Sequence, residues 1–431
     1  MGPCKNAGHH SDKFMRKLTA TILFLFIVIT AFAQPYDNID YHHEIKSIEC
    51  YKEGKQGSLP MINLGSDEKI VIGFDDLSAQ TRNFYYTLEH CDANWNSSNL
   101  SPAEYLQSFT EDRILNYKYS SGTYRKYIHY EVSFPNSNII PKYAGNYILK
   151  VYEDGDQKNI IFTRRIYVLN TRINVGATIV PSNNVATRQT NQKLNFQVDY
   201  GTLRVQNPGT DIRVFVMQNA RSEIGIMNMK PTYIRGSQLI YNDVNINDMP
   251  GRNEFRYFDM RTLKAGAPHI AHITRDTANV VELLRDENRA NANYSFQYDN
   301  NGNFYILNQD GADARVDADY AHVSFNLNAN KTSAEGSVYV VGRFNNYRLT
   351  ESNKLNYDAA SGRFFTTLFL KQGVYDYEYI WVDRNKKADD VPLEGSHYET
   401  ENDYQLLVYY RPPGARWEEL AGFQQVNTGK K

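Results

Sequence analysis

The sequence predicts an all-β protein made of tandem immunoglobulin-like, early-set β-sandwich domains with a few short helices. Three observations carry that reading. Apolar residues alternate with polar ones in one short run after another. The aromatic content is 13%, with 33 Tyr and 21 Phe against 3 Trp, and such side chains favour half-buried pleated surfaces. Many Asn-Gly-type and other polar breaks separate the runs.

The N-terminus has the order of an export signal. Arg16-Lys17 precede an apolar run from Leu18 to Ile29, and Ala31-Phe32-Ala33 gives a small-x-small cleavage pattern before Gln34. The run is short for a membrane span, so residues 1–33 are expected to be a cleaved signal peptide. Met15 is the expected true start, with the residues before it an over-called extension. No Cys follows the cleavage pattern, so no lipid anchor is indicated. The remaining chain contains no further apolar run long enough to span a bilayer.

Net charge is -2 over 431 residues, which argues against bulk electrostatic attraction to nucleic acid or an anionic membrane. After loss of residues 1–33, Cys50 and Cys91 remain. In an oxidising compartment they are a possible disulfide, worth about 4 kcal/mol in the chain-entropy picture. Two buried thiols is the alternative, because spacing does not show that the two Cα atoms approach.

The first block, residues 34–170, reads as one β-sandwich. Ile70, Ile72 and Phe74 alternate with Val71 and Gly73. Tyr86, Leu88 and His90 alternate with Tyr85, Thr87 and Glu89. Ile128, Tyr130, Val132 and Phe134 form another run, followed by Tyr147, Leu149 and Val151, then Ile166 and Val168. Between the second and third runs lies one helical signal. Ser101 suits an N-cap, Pro102 suits N1, and Glu104 completes a capping box.

The second block, residues 171–318, is expected to be a middle β domain. Leu194, Phe196, Val198 and Tyr200 form one face, and Ile212, Val214 and Val216 another, with a turn at Asn207-Pro208-Gly209. Tyr294 to Tyr298 and Phe304 to Leu307, flanking Asp299-Asn300-Asn301-Gly302, predict a hairpin. The third block, residues 319–431, is expected to be a C-terminal early-set, immunoglobulin-like domain. Its densest strand runs from Val374 to Val382. There Tyr375, Tyr377, Tyr379 and Trp381 share one face, leaving Asp376 and Glu378 on the other.

Candidate chemistry is sparse. His90, Asp92 and His129 are polar enough for acid–base work, but Asp92 also suits an Asx-turn before Ala93-Asn94. His269 and His272 have metal-like spacing only on a helix, and none is predicted there. No Gly-x-Ser-x-Gly, phosphate loop or clustered metal-ligand motif occurs, so no enzyme, cofactor or metal site is predicted. The aromatic strand suggests glycan stacking. The run Val338 to Val382 resembles the early-set modules that bind starch or glycogen, through Gly342-Arg343-Phe344-Asn345-Asn346-Tyr347 and Gly373-Val374-Tyr375-Asp376-Tyr377. Tyr347 stands where those modules carry Trp. Under this alternative the chain is a secreted glycan-binding protein using Tyr347, Tyr375 and Trp381. Core aromatics on a strand are the ordinary reading of the same residues.

A second resemblance spans nearly the whole mature chain, in order. Its marks are Glu89-His90-Cys91-Asp92-Ala93-Asn94-Trp95, Glu104-Tyr105-Leu106, Tyr127-Ile128-His129-Tyr130, Gly145-Asn146-Tyr147 and Thr163-Arg164-Arg165 in the first block. Asn253 to Asp259, Leu370-Lys371-Gln372-Gly373, Glu394 to Tyr404 and Val408 to Arg411 continue it. The sequence resembles the type IX secretion system plug proteins of Bacteroidota, long known as a domain of unknown function. The resemblance implies a non-enzymatic periplasmic protein at the outer membrane. It would bind the periplasmic opening of the translocon β-barrel and seal it when no substrate is exported. The implied partner is that barrel, with no nucleic acid, small-molecule substrate or direct membrane insertion. No motif marks the contact residues.

Overall fold

The computed structural model describes residues 35–429, apart from 244, 245 and 265. The expected signal peptide lies outside the described residues. The chain is all-β, with only short helical turns between strands.

Three sandwiches share the strands, but not in the sequential blocks expected. The first packs a four-stranded sheet, ordered Ile45–Lys52, Ile70–Asp76, Ile128–Phe134 and Asn116–Tyr119, on one half of a ten-stranded sheet. That half contains Ile160–Leu169, Gly145–Glu153, Phe84–Cys91 and Glu111–Arg113. Ile70, Ile72 and Phe74 meet Tyr86, Leu88, Tyr147 and Leu149 in the resulting core.

The other half of the long sheet belongs to distant sequence. Ile212–Gln218 pairs with Asp403–Tyr410, which pairs with Glu419–Asn427, and Leu420 bridges in parallel to Leu169. A smaller sheet containing Asn174–Pro181 and Asn191–Asp199 covers this half. Leu194, Phe196 and Val198 there bury against Val214, Val216, Leu406 and Val408.

The third sandwich packs a sheet centred on Gly373–Asp383 against one centred on Tyr320–Asn328 and Arg363–Lys371. Arg256–Asp259 joins the Gly373–Asp383 strand from the middle block. The boundaries expected at 170 and 318 therefore divide the sequence but not the sheets. The last two strands complete the second sandwich, and residues 256–259 contribute to the third. Period-2 alternation identifies a strand without naming its neighbour, and that is why the crossings were not foreseen.

Of the two readings left open for the cysteines the structure has the thiols, and the expected hairpin needs correction. Cys50 and Cys91 are both free. Cys50 packs at the margin of the first core, whereas Cys91 is buried on the other face of the long sheet with Ile148, Tyr167 and Leu420. The hairpin expected around residues 299–302 does not form, because Tyr294 to Tyr298 is not a strand and Phe304–Ile306 pairs with Gly373–Asp383 instead. The backbone N–H groups of Asn300 and Gly302 donate to the buried Asp376 carboxylate at 2.5 and 3.1 Å, so the turn is anchored to a side chain rather than a neighbouring strand. Asp376 and Glu378, on the face opposite the aromatic row, are both buried, so the Gly373–Asp383 strand is covered on both faces.

Candidate functional site

The residues that suggested acid–base chemistry do not converge. His90 is fully buried on Phe84–Cys91, edge-on to the Tyr147 ring with centroids 5.0 Å apart. Burial pushes its pKa down to about 4, so it is neutral at pH 7. His129 lies on the opposing sheet and meets Asp75 Oδ1 through Nδ1 at 2.7 Å. Asp92 is a turn residue: its Oδ1 accepts the N–H groups of Asn94 at 2.8 Å and Asn96 at 2.9 Å. The helical turn after it is Pro102–Tyr105, and Glu104 Oε2 accepts the Ser101 N–H at 2.7 Å, as a capping box requires.

The residues proposed for sugar stacking are core residues. Tyr375 and Trp381 are 2% and 6% exposed and pack with Phe258, Phe325 and Phe364. Tyr347 is 8% exposed and packs with Phe255, Val341 and Ile380. Tyr375 stacks on Phe258 at 5.2 Å and on Phe304 at 5.7 Å. An open aromatic face is what stacking a sugar needs, and these rings are covered by protein. Among the described residues no group of three or more His, Cys, Asp or Glu side chains could hold a metal ion. None of the described helices is long and apolar enough to cross a membrane.

What the structure does assemble is a set of buried ionic seams between the sandwiches. At the first, Lys371 Nζ lies 2.6 Å from Asp75 Oδ2, and Tyr320 OH donates to the same oxygen at 2.7 Å. With His129 on the other oxygen, a strand of the first sandwich is tied to two strands of the third. Burial alone would raise the Asp75 pKa, but Lys371 and His129 outweigh it and hold it below the usual carboxylate value. Lys371 also lies 4.2 Å from the centre of the Tyr127 ring.

The second seam links residues of the middle block to the third sandwich. Arg221 is 2% exposed and reaches Glu378 at 2.6 Å and Asp390 at 3.4 Å, while Arg252 also meets Asp390. A third cluster lies inside the third sandwich. Arg256 meets Asp286 at 2.8 Å and Glu394 at 3.0 Å, and Tyr377 and Tyr379 each donate a hydroxyl to Asp286 at 2.8 Å. Burial opposes ionisation of Asp286, yet Arg256 and His269 bring its pKa down to about 2.

A fourth seam fastens the Cys91–Trp95 turn to the end of the chain. Ala93 N–H donates to Glu418 Oε2 at 2.9 Å, and Glu418 also meets Arg213 at 3.1 Å and Arg411 at 2.8 Å. Tyr409 OH donates to Asn146 Oδ1 at 2.9 Å, and Asn146 Nδ2 donates to Asp92 O at 3.1 Å. Trp95 is buried beside Tyr167 and beneath the Arg165 guanidinium, 4.6 Å from its ring centre.

Sequence reasoning missed these seams. Their only local trace is a charge inside a strand that is otherwise apolar, such as Asp75 after Phe74 or Glu378 between Tyr377 and Tyr379. Alternation assigns such a residue to a wet face, and only the distant partner shows otherwise.

Several large apolar side chains of the first block are exposed. Phe109, Leu115, Tyr117, Tyr119 and Tyr124 are 63%, 70%, 42%, 60% and 52% exposed. Tyr117 and Tyr119 lie on Asn116–Tyr119, the outer strand of the four-stranded sheet, whose four residues are all exposed. Such an edge keeps unpaired backbone groups available to another chain.

Residues 45–170 match the family model described as the type 9 secretion system plug protein 1st domain. No curated protein matches the chain. Among solved structures, the chain is similar to a hypothetical protein from Parabacteroides merdae ATCC 43184, with 31% identity and a TM-score of 0.87. The match covers 92% of this chain and 100% of that one.

Proposed function

We propose, because the chain belongs to the family that carries the type 9 secretion system plug protein 1st domain, that it is a non-catalytic plug of that system. It binds the periplasmic opening of the outer-membrane translocon barrel and seals it when no substrate is being exported. The family match over residues 45–170 is the observation that carries this reading. The export-type N-terminus is consistent with work outside the cytoplasm.

The physical demands of the role fit the molecule described above. A stopper must resist deformation under load. Sandwiches joined through shared strands and buried ion pairs resist sliding, because each displacement would leave a charge buried without its partner. A plug must also leave when cargo arrives, so it needs unequal affinity for the empty and the loaded barrel. The exposed outer strand Asn116–Tyr119, with Tyr117 and Tyr119, lies within the matched domain and is the surface this reading assigns to the barrel.

Affinity purification of the tagged protein from its native envelope tests the reading. A very large outer-membrane β-barrel is expected to co-purify, and Tyr117→Lys with Tyr119→Lys is expected to reduce its recovery. Recovery of the intact plug without any such barrel overturns the proposal.

A further inference from the structure

Arg343 occupies an electrostatic position unlike the seams. It borders a cavity of about 100 Å³ at the junction of the three sequence blocks, lined also by Cys50, Arg164, Arg165, Ser222 and Tyr347. Its guanidinium donates from Nη1 to Gly57 O at 3.0 Å and Asn303 Oδ1 at 2.7 Å, and from Nη2 to Ser58 O at 3.2 Å. All three acceptors are neutral. A guanidinium carries five N–H donors in a planar fork. These bonds use three, leaving the Nε–H and one Nη2–H without an acceptor among the described residues.

Among the described residues no carboxylate lies within ion-pair distance of its guanidinium. Desolvation pushes the Arg343 pKa below the ordinary guanidinium value, and the strongest fields it feels are those of Tyr347, Cys50, Tyr305 and Tyr167. Burial raises the pKa of each of these groups, with Cys50 and Tyr167 both pushed to about 12, so all four are neutral at pH 7. Several other charges around the cavity have ion-pair partners. Arg164 pairs with Asp40 at 2.6 Å, Arg165 with Asp37 at 3.5 Å, and Glu223 with Arg221 at 2.7 Å. Glu49 accepts from Gln56 at 2.5 Å, and its charged neighbours are His129, Lys371 and Asp75 rather than Arg343. Arg343 makes no ion pair among the described residues, and it borders a space of roughly three water volumes.

We propose that this cavity binds a small free carboxylate, of acetate or formate size, held by the unused edge of Arg343. Two adjacent N–H donors on a planar cation match the two oxygens of a carboxylate. The occupant would tie together residues from all three blocks and so favour the folded state by mass action. This site is independent of the plug reading, which needs no ligand.

The test uses the intact mature chain. The linewidth of 13C-acetate is expected to broaden with protein, to recover on adding unlabelled formate, and to be unaffected by chloride at equal ionic strength. Acetate should also raise Tm saturably at fixed ionic strength. Arg343→Gln is expected to abolish both effects, and Arg343→Lys to weaken binding about tenfold or more, the worth of one charge-assisted hydrogen bond. Absence of broadening with the wild-type protein overturns the proposal, whether or not the variants fold. So does equal broadening with folded Arg343→Gln, or binding of phosphate without acetate.

Discussion

At the scale of single residues, the buried charges decide stability. Lys371 is 1% exposed and Asp75 is fully buried, so neither can turn to water if its partner is removed. Lys371→Met is expected to lower unfolding stability by about 3–5 kcal/mol, the usual cost of stranding one member of a buried pair. Adding Asp75→Asn should recover part of that loss, which a double-mutant cycle in urea would measure. His90 predicts a dependence on pH. It binds a proton near pH 6.5 when unfolded but only near pH 4 when folded, so between these values the unfolded chain binds more protons. Its contribution is present above pH 6.5 and is lost as the pH falls toward 4. Asp286 acts in the same direction lower down, since its folded pKa of about 2 lies below the ordinary 3.8, and its contribution fades as the pH drops through that window. His90→Phe should flatten the higher of the two steps by an amount on the order of 3 kcal/mol, read from Tm or urea midpoints across pH 7 to 4.

At the scale of elements, the strands were legible and their neighbours were not. Ile70, Ile72 and Phe74 announced a strand by alternation, and Ser101 with Glu104 announced a helical turn, because both signals are local. Asp92 announced its Asx-turn for the same reason. The aromatic row Tyr375 to Trp381 was correctly placed on one face, but alternation could not say that protein covers both faces of the strand. Pairing of Ile212–Gln218 with Asp403–Tyr410 joins segments almost two hundred residues apart, and no residue in either marks the other. Gly145 shows how a local residue can serve a distant contact. Its φ is +147°, and a Cβ there would lie 2.6 Å from His90 Nε2 and 3.0 Å from Glu418 O. Gly145→Ala is expected to cost about 1–3 kcal/mol, through backbone strain and displacement of the residue 418 segment from the Gly145–Glu153 strand. Thermal unfolding measures the cost, and hydrogen exchange at Glu419–Asn427 should rise with it.

At the scale of the whole molecule, the sandwiches are not separable along the chain. Residues 171–318 expressed alone would lack Asp403–Tyr410 and Glu419–Asn427, which supply Leu406, Val408 and Ala421 to the second core. That fragment is expected to show no cooperative unfolding transition and poor amide dispersion by NMR. The same segment should regain both when residues 403–427 are supplied in one chain through a flexible linker.

The two final strands also impose a schedule. Ile212–Gln218 waits for Asp403–Tyr410, so one edge of an early strand stays bare until those later residues arrive. Folding of this kind is slow, because distant segments must find one another before their contacts reward the search. A chain emerging from a ribosome or through a membrane pore would therefore remain unfinished until its tail was through. During that interval the bare edge is open to pairing with the wrong neighbour, and a chaperone that shields it would act on the unfinished form alone.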